Sequence, residues 1–342
     1  MRFVPDAEVA ARLPVALLGG FLGSGKTTTL NALLRHPRME GTAVAINEFG
    51  EVPIDQHLVE GAGPDRTLVL ANGCLCCNLS GDLEGAVMRL FARREAGAVP
   101  RFARLVIEPS GLADPAPVIH ALLRNPVLSR ALRLDAVLAT VDAVFGAAQL
   151  AEHPEAREGV ALAETILLTK TDLAPDSTAV RAAVARLNPL APVVAPRHGA
   201  ADPAAIFPAR FLGAAGAPPP VASWPRALPA APAHAAEVAS VSLVSDTAPD
   251  WVAFEAWLKH LRLTAGEKLL RVKGLIGVPG RDGPVVIQGV HHVLHPPVAL
   301  DHWPDADTRS RLVLITRGLD PAPWRAGWDA LFAEREAAHA RH

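Results

Sequence analysis

Val15-Ala-Leu-Leu18-Gly19-Gly20-Phe21-Leu22-Gly23-Ser24-Gly25-Lys26-Thr27-Thr28 decides the fold. A short apolar run enters a glycine-rich loop, and a helical pattern follows over 27–35. Gly20, Gly25, Lys26 and Thr27 keep the spacing at which a loop wraps phosphate groups between a strand and a helix. Glycines let the backbone curl so that successive N–H groups point inward at a helix N-terminus, with Gly23, Ser24 and Thr28 completing the cradle. Lys26 is placed to reach the β- and γ-phosphates, and the Thr27 hydroxyl to bind Mg²⁺.

Outward from this loop the chain alternates strand and helix. Apolar runs at 15–18, 43–46, 68–70, 105–107, 136–141, 166–169 and 193–195 read as buried strands, with helices over 27–35, 81–95, 115–124 and 177–187. That alternation predicts an α/β fold of the P-loop NTPase kind, a mostly parallel sheet flanked by helices. Its domain is placed at 1–200. Residues 201–236 are rich in Ala and Pro and read as a linker. Beyond it, at 237–342, strands at 238–244, 269–278, 285–293 and 311–316 with helices at 249–263 and 321–337 predict a smaller α+β domain on an antiparallel sheet.

Composition excludes several classes of function. A length of 342 residues suits two domains, and a net charge of -2 leaves no basic footprint for nucleic acid and no polybasic membrane anchor. Charges scattered through 1–13 leave no apolar signal core, and no stretch is long enough to span a bilayer, so a cytoplasmic protein is expected. All three cysteines fall within four consecutive residues, which rules out a disulfide framework. Only five lysines occur, and Lys26 and Lys170 both fall in candidate nucleotide motifs.

Leu105-Val-Ile-Glu108-Pro-Ser-Gly111 supplies an acid and a glycine after a strand. Glu108 is expected beside Mg²⁺, with the Gly111 N–H facing the γ-phosphate. Asp142 is a rival acid, better read as a strand end capping a helix. Leu112 stands where switch GTPases place a water-orienting Gln, so slow unaided hydrolysis is expected. Thr169-Lys170-Thr171-Asp172 follows another strand; Asp172 can accept from guanine N1–H and N2, and the Lys170 stem can cover the base. Many GTPases carry Asn where Thr169 stands. Taken alone the motif reads as a helix start, but together with the upstream loop it favours GTP. Backbone around 197–199 is a candidate to complete the base pocket.

Cys74-Leu-Cys76-Cys77 follows a strand and precedes a helix, a setting that lowers thiolate pKa and suits Zn²⁺ or another soft divalent ion. With no second Cys cluster, an incomplete site fits transient holding better than scaffolding. A redox pair and three small buried side chains are the other readings. The segment 47–55 follows the second strand, and its Glu48 is a candidate to join the metal site or sense Mg²⁺. His291, His292 and His295 lie in Gln288-Gly-Val-His-His-Val-Leu-His295; were this stretch a strand throughout, His292 would face away from the other two, so a packing or surface role is expected over a metal relay.

These residues together resemble the CobW-type family of P-loop GTPases, which are metal chaperones and metallocenter assembly proteins. The resemblance rests on 19–28, Asn47-Glu-Phe-Gly50, Asn72-Gly-Cys-Leu-Cys-Cys77, Glu108-Pro-Ser-Gly111, Thr169-Lys-Thr-Asp172 and, later, Gln288-Gly-Val-His-His292 and Arg311-Leu-Val-Leu-Ile315. It implies GTP hydrolysis with Mg²⁺, coupled to delivery of Zn²⁺, Co²⁺ or a related ion from the Cys-x-Cys-Cys site to a client metalloenzyme. Apart from the resemblance, a homodimer is one possible assembly. The histidine-rich loop of some members is missing here. The alternatives are a P-loop kinase or nucleotide-dependent synthetase with a structural zinc, and a zinc-stabilised binding module without turnover.

Overall fold

The structure, a computed structural model, describes residues 11–46, 67–71, 79–112, 114–174, 176–196, 201–209, 211–213, 238–291, 293–294 and 297–339. The chain divides into two compact units, one drawn largely from residues between 11 and 213 and one from 238 onward.

The first unit is built on β1 (Leu13–Gly20), α1 (Lys26–Leu34), β2 (Thr42–Ile46), β3 (Thr67–Ala71), α2 (Leu79–Glu95), β4 (Arg104–Glu108), α3 (Ala116–Arg124), α4 (Leu128–Ala131), β5 (Leu132–Asp142), α5 (Gly146–Glu152), α6 (Pro154–Leu162), β6 (Thr165–Thr169), α7 (Thr178–Leu187), β7 (Val193–Val194) and α8 (Pro203–Ile206). Seven described strands pair in the order β3-β2-β4-β1-β5-β6-β7, every pairing parallel. β1 lies between β4 and β5, with Val15 opposite Leu105 and Gly20 opposite Thr140. It is buried on both faces, which is why it reads as a continuous apolar run rather than an alternating one. Ala16 and Leu18 share a core with Leu30 and Leu33 of α1, Val106, Leu138 and Leu167.

Two features depart from the sequence reading. The stretch expected to open the linker at 201 instead forms α8 and sends Ile206, Phe207 and Phe211 into that same core. Phe211 is fully buried, which contributes about 1.5–3 kcal/mol. Arg104 locks it there: its guanidinium lies 5.8 Å from the Phe211 ring while donating to the Arg38 carbonyl at 2.6 Å. Second, α5 and α6 occupy a region where the sequence reading places no helix range, beyond taking Asp142 as the cap of one. Gly146 and Ala-rich turns weaken the apolar period there, and extended His153 followed by Pro154 splits the segment into two short helices.

The second unit contains β8 (Val238–Ser245), α9 (Trp251–Ala265), β9 (Leu269–Ile276), β10 (Val285–Val290), β11 (Val293–Leu294), β12 (Val298–Ala299), β13 (Ser310–Arg317) and α10 (Ala322–His339). Its antiparallel sheet runs β11-β10-β9-β13-β8, with β12 on β10. Phe254 and Leu258 of α9 and Trp324, Trp328 and Phe332 of α10 bury against Val272, Ile287 and Leu314. Asp250 caps α9 by accepting the Ala253 N–H at 2.9 Å.

The strand expected over 285–293 breaks. Val290 pairs with Val293, and His291 sits in a turn with a φ of 51°. His291 is buried, its Nδ1 3.1 Å from the Glu267 carbonyl oxygen, which is a packing role. His292 and His295 lie outside the described residues. No helix among the described residues is long and apolar enough to cross a membrane.

Candidate functional site

In an all-parallel sheet the carboxyl ends of the strands share one edge, and there the loops after β1, β4, β5 and β6 meet. β1 ends at Gly20 and α1 begins at Lys26, so the glycine loop is the whole of the connection. Gly20, Gly23 and Gly25 have φ of 143°, 68° and 89°. These values turn the loop tightly enough to aim main-chain N–H groups at one point. Gly25 is the N-cap of α1 and no side chain caps that end, which leaves its first donors facing the loop. A phosphate chain fits such a cradle.

Lys26 is only 9% exposed, and its Nζ donates to the carbonyls of Gly20 at 3.0 Å and Phe21 at 3.3 Å. Ser24 is fully buried and shapes the loop from within. Its hydroxyl donates to the Phe21 carbonyl at 2.6 Å and lies 2.6 Å from Thr140 Oγ1, and its N–H donates to Phe21 O at 3.1 Å. The Ser24 side chain and N–H are therefore engaged inside the loop. Thr28 is exposed.

Glu108 closes β4, 4% exposed, and accepts the Thr27 hydroxyl on Oε1 at 3.0 Å. A hydroxyl and a carboxylate side by side are hard oxygen donors suited to Mg²⁺. Gly111 presses against the glycine loop: a Cβ there would sit 2.8 Å from Lys26 Nζ and 2.9 Å from Leu22 N. Only a glycine lets the segment after Glu108 approach so closely.

Thr169 ends β6 and is 5% exposed. Its hydroxyl donates to Ser24 O at 2.6 Å and contacts Val141 O at 3.2 Å. The loop after β6 and the glycine loop are thus tied by one buried hydroxyl. This gives the Thr at that position a definite task. Thr169→Val is expected to strand the Ser24 carbonyl, costing about 1–3 kcal/mol, and to weaken nucleotide binding. Thermal melts and titration with a fluescent GDP analogue check this; unchanged values in both would deny Thr169 the role of brace.

Lys170 Nζ donates to Asp142 Oδ2 at 2.6 Å, and Asp172 stands exposed two residues on. The sequence reads Asp142 as a helix cap; instead its Oδ1 accepts the Val144 and Phe145 N–H groups at 2.7 and 3.2 Å in the turn before α5, whose N-cap is Phe145 with no side-chain cap. The ion pair with Lys170 was not legible, since the two residues come from different strand ends. Cys74, Cys76, Cys77, Glu48, the rest of 47–55 and 197–199 lie outside the described residues. Among the described residues no group of three or more His, Cys, Asp or Glu is placed to hold a metal ion.

Residues 14–195 match the CobW/HypB/UreG nucleotide-binding domain, and 238–332 match the cobalamin synthesis protein cobW C-terminal domain. The chain belongs to the CobW family. It is 34% identical over 320 residues to the zinc chaperone YjiA of Escherichia coli, covering 93% of this chain and 98% of that one. It is 28% identical over 198 residues to the zinc-regulated GTPase metalloprotein activator 1 of Schizosaccharomyces pombe, covering 56% of this chain and 47% of that one. The crystal structure of Zn(II)-bound YjiA GTPase superposes with a TM-score of 0.71 at 30% identity, over 94% of this chain and 99% of that one. A second, with a TM-score of 0.71, is a Zn(II)-bound YjiA triple mutant in which one Glu and two Cys are replaced by Ala. This CobW-family chain is a GTPase, which leaves the kinase and synthetase alternatives without support.

Proposed function

We propose that this protein is a zinc metallochaperone that uses GTP to control its hold on the ion and passes it to a client metalloprotein. The observation that carries the reading is the strand order β3-β2-β4-β1. β3 ends at Ala71, just before Cys74-Leu-Cys76-Cys77, and β2 ends at Ile46, just before the acidic segment with Glu48. Both strands deliver the chain to the sheet edge that carries Glu108 and the glycine loop. Ligands for a soft metal, a nucleotide-sensing segment and the triphosphate site therefore leave adjacent strands in one direction. The names of the relatives, zinc chaperone and zinc-regulated GTPase, point the same way.

In this reading Lys26 exchanges its two loop carbonyls for phosphate oxygens, and the α1 N-terminus meets the rest of the anion. Thr27 and Glu108 would hold Mg²⁺, which neutralises phosphate charge when bound. Gly111 has no side chain to crowd Lys26 Nζ, which leaves its own N–H room to face the γ-phosphate. Lys170 and Asp172 select guanine. Leu112, 47% exposed, has no group to orient water, so turnover without a partner is slow.

Zinc affinity is expected to differ at least about tenfold between the GTP-analogue and GDP states, because a nucleotide can shift the metal site only by binding its two states unequally. Competition with a chromogenic chelator measures it, on wild type and on Cys76→Ser/Cys77→Ser. The double variant should lose the nucleotide-sensitive zinc. Since a Zn(II)-bound form of the related triple mutant exists, ions per chain must be counted as well. Equal affinities in both nucleotide states sink the coupling; a nucleotide-sensitive zinc retained by the double variant removes these thiolates from it.

A further inference from the structure

Asp142 is 1% exposed at the end of β5, and its two oxygens do separate work. Oδ1 takes the Val144 and Phe145 N–H groups and turns the chain into α5. Oδ2 takes only the Lys170 ammonium among its described contacts, at 2.6 Å. An asparagine could cap that turn as well, so turn formation does not explain the full charge. A carboxylate this deeply buried needs a cationic or hydrogen-bonding partner, and Lys170 supplies the cation.

Lys170 itself is in an unusual state. Its φ is 55°, a left-handed conformation that residues other than glycine seldom hold without an external restraint. Thr169 before it is fixed, with its carbonyl accepting the Ala143 N–H at 3.0 Å and its hydroxyl on the glycine loop. After it, the Leu173 N–H donates to the Lys170 carbonyl at 3.0 Å, closing a turn that carries Asp172 into solvent. The side chain of Lys170 is one-third exposed, so the Asp142 pair is its restraint on the buried side.

We infer that Asp142 is the positioning residue of the nucleobase subsite. Its carboxylate anchors the Lys170 ammonium, which sets the aliphatic stem along the base plane and holds the left-handed turn that presents Asp172. Recognition is preorganised: these groups are ordered before guanine arrives, and the base need not order them. The inference rests on the reading of Lys170 and Asp172 as the guanine-selecting pair.

The test uses the full chain and compares Asp142→Asn, Lys170→Met, the double variant and Asp172→Ala, with GTP kinetics, GDP and ADP affinities, and melting temperature. Asp142→Asn should raise the KM for GTP about tenfold with kcat changed less than about twofold, the signature of lost binding common to ground and transition states. Its ADP affinity should stay as in wild type, because the phosphate cradle is intact, so the preference for GDP over ADP collapses. The double variant should be no worse than Lys170→Met, since both remove one interaction. Equal losses for GDP and ADP alongside a lowered melting temperature would mark Asp142 as merely structural and overturn the inference. So would an unchanged GDP preference. If Asp142→Asn does not fold, Lys170→Met reads the pair from its exposed side, and an unchanged preference there is equally fatal. Asp172→Ala separates the two levels: should it too keep the guanine preference, the guanine reading itself falls, whereas its loss beside an unaffected Asp142→Asn removes only the positioning role.

Discussion

Lys26→Ala is expected to lower GTP turnover by about a thousandfold or more while leaving the fold intact. Its ammonium is the cation held inside the loop, 9% exposed and bonded to two carbonyls that a phosphate can replace. Removing a charge that stabilises a transferring phosphoryl group from a water-poor site costs several kcal/mol of barrier, and each 1.36 kcal/mol is about tenfold in rate. The methyl group of alanine leaves the two carbonyls to water at the loop mouth, so stability should change little. Lys26→Arg should not rescue, because a guanidinium fork is wider than a point charge and Gly111 leaves it no room. Phosphate release and circular dichroism decide the matter. A folded Lys26→Ala protein turning over within about tenfold of wild type would remove Lys26 from the chemistry.

Gly20→Ala is expected to damage the fold and the site together. The new Cβ would meet Thr140 Oγ1, and would lie 2.8 Å from both the Thr140 carbonyl oxygen and Ser24 Oγ. Gly20 is paired with Thr140 in the sheet, so the main chain cannot retreat, and its φ of 143° is itself unfavourable for alanine. Overpacking and backbone strain each cost about 1–3 kcal/mol. Together they should lower the melting temperature by about 10 °C in a unit of this size. Because Ser24 and Thr140 brace the loop, nucleotide affinity should fall as well. Gly23→Ala is the matching control: it too has a positive φ, but no atom lies within 4 Å of its Cβ position, so its penalty is strain alone. Equal effects at the two glycines would show that the contact with Thr140 is unimportant.

Much of this was legible in the chain. All seven apolar runs of the first unit became strands; in β1, β4, β5 and β6 burial on both faces is what makes the run continuously hydrophobic. The glycine loop and Glu108 fell where their spacing from strand ends placed them. The misses have local causes. The 201–213 stretch is Ala- and Pro-rich and reads as linker, yet two phenylalanines four residues apart anchor it, their rings stacked 4.5 Å apart. The histidine run reads as strand because Val and Leu surround it, and only the pairing of Val290 with Val293 reveals the turn.

By itself the sequence determined the strand–helix alternation, the phosphate loop, the family, and the position of three thiols behind a strand, since these depend on residue type and short spacing. Tertiary structure alone decided how the loops cooperate. Thr27 meets Glu108 across 81 residues, Ser24 meets Thr140 across 116, and Thr169 reaches Ser24 across 145. Lys170 finds Asp142 because β5 and β6 are neighbours in register. Side-chain hydrogen bonds act over about 3 Å, and no local pattern encodes which distant oxygen the folded sheet brings that close.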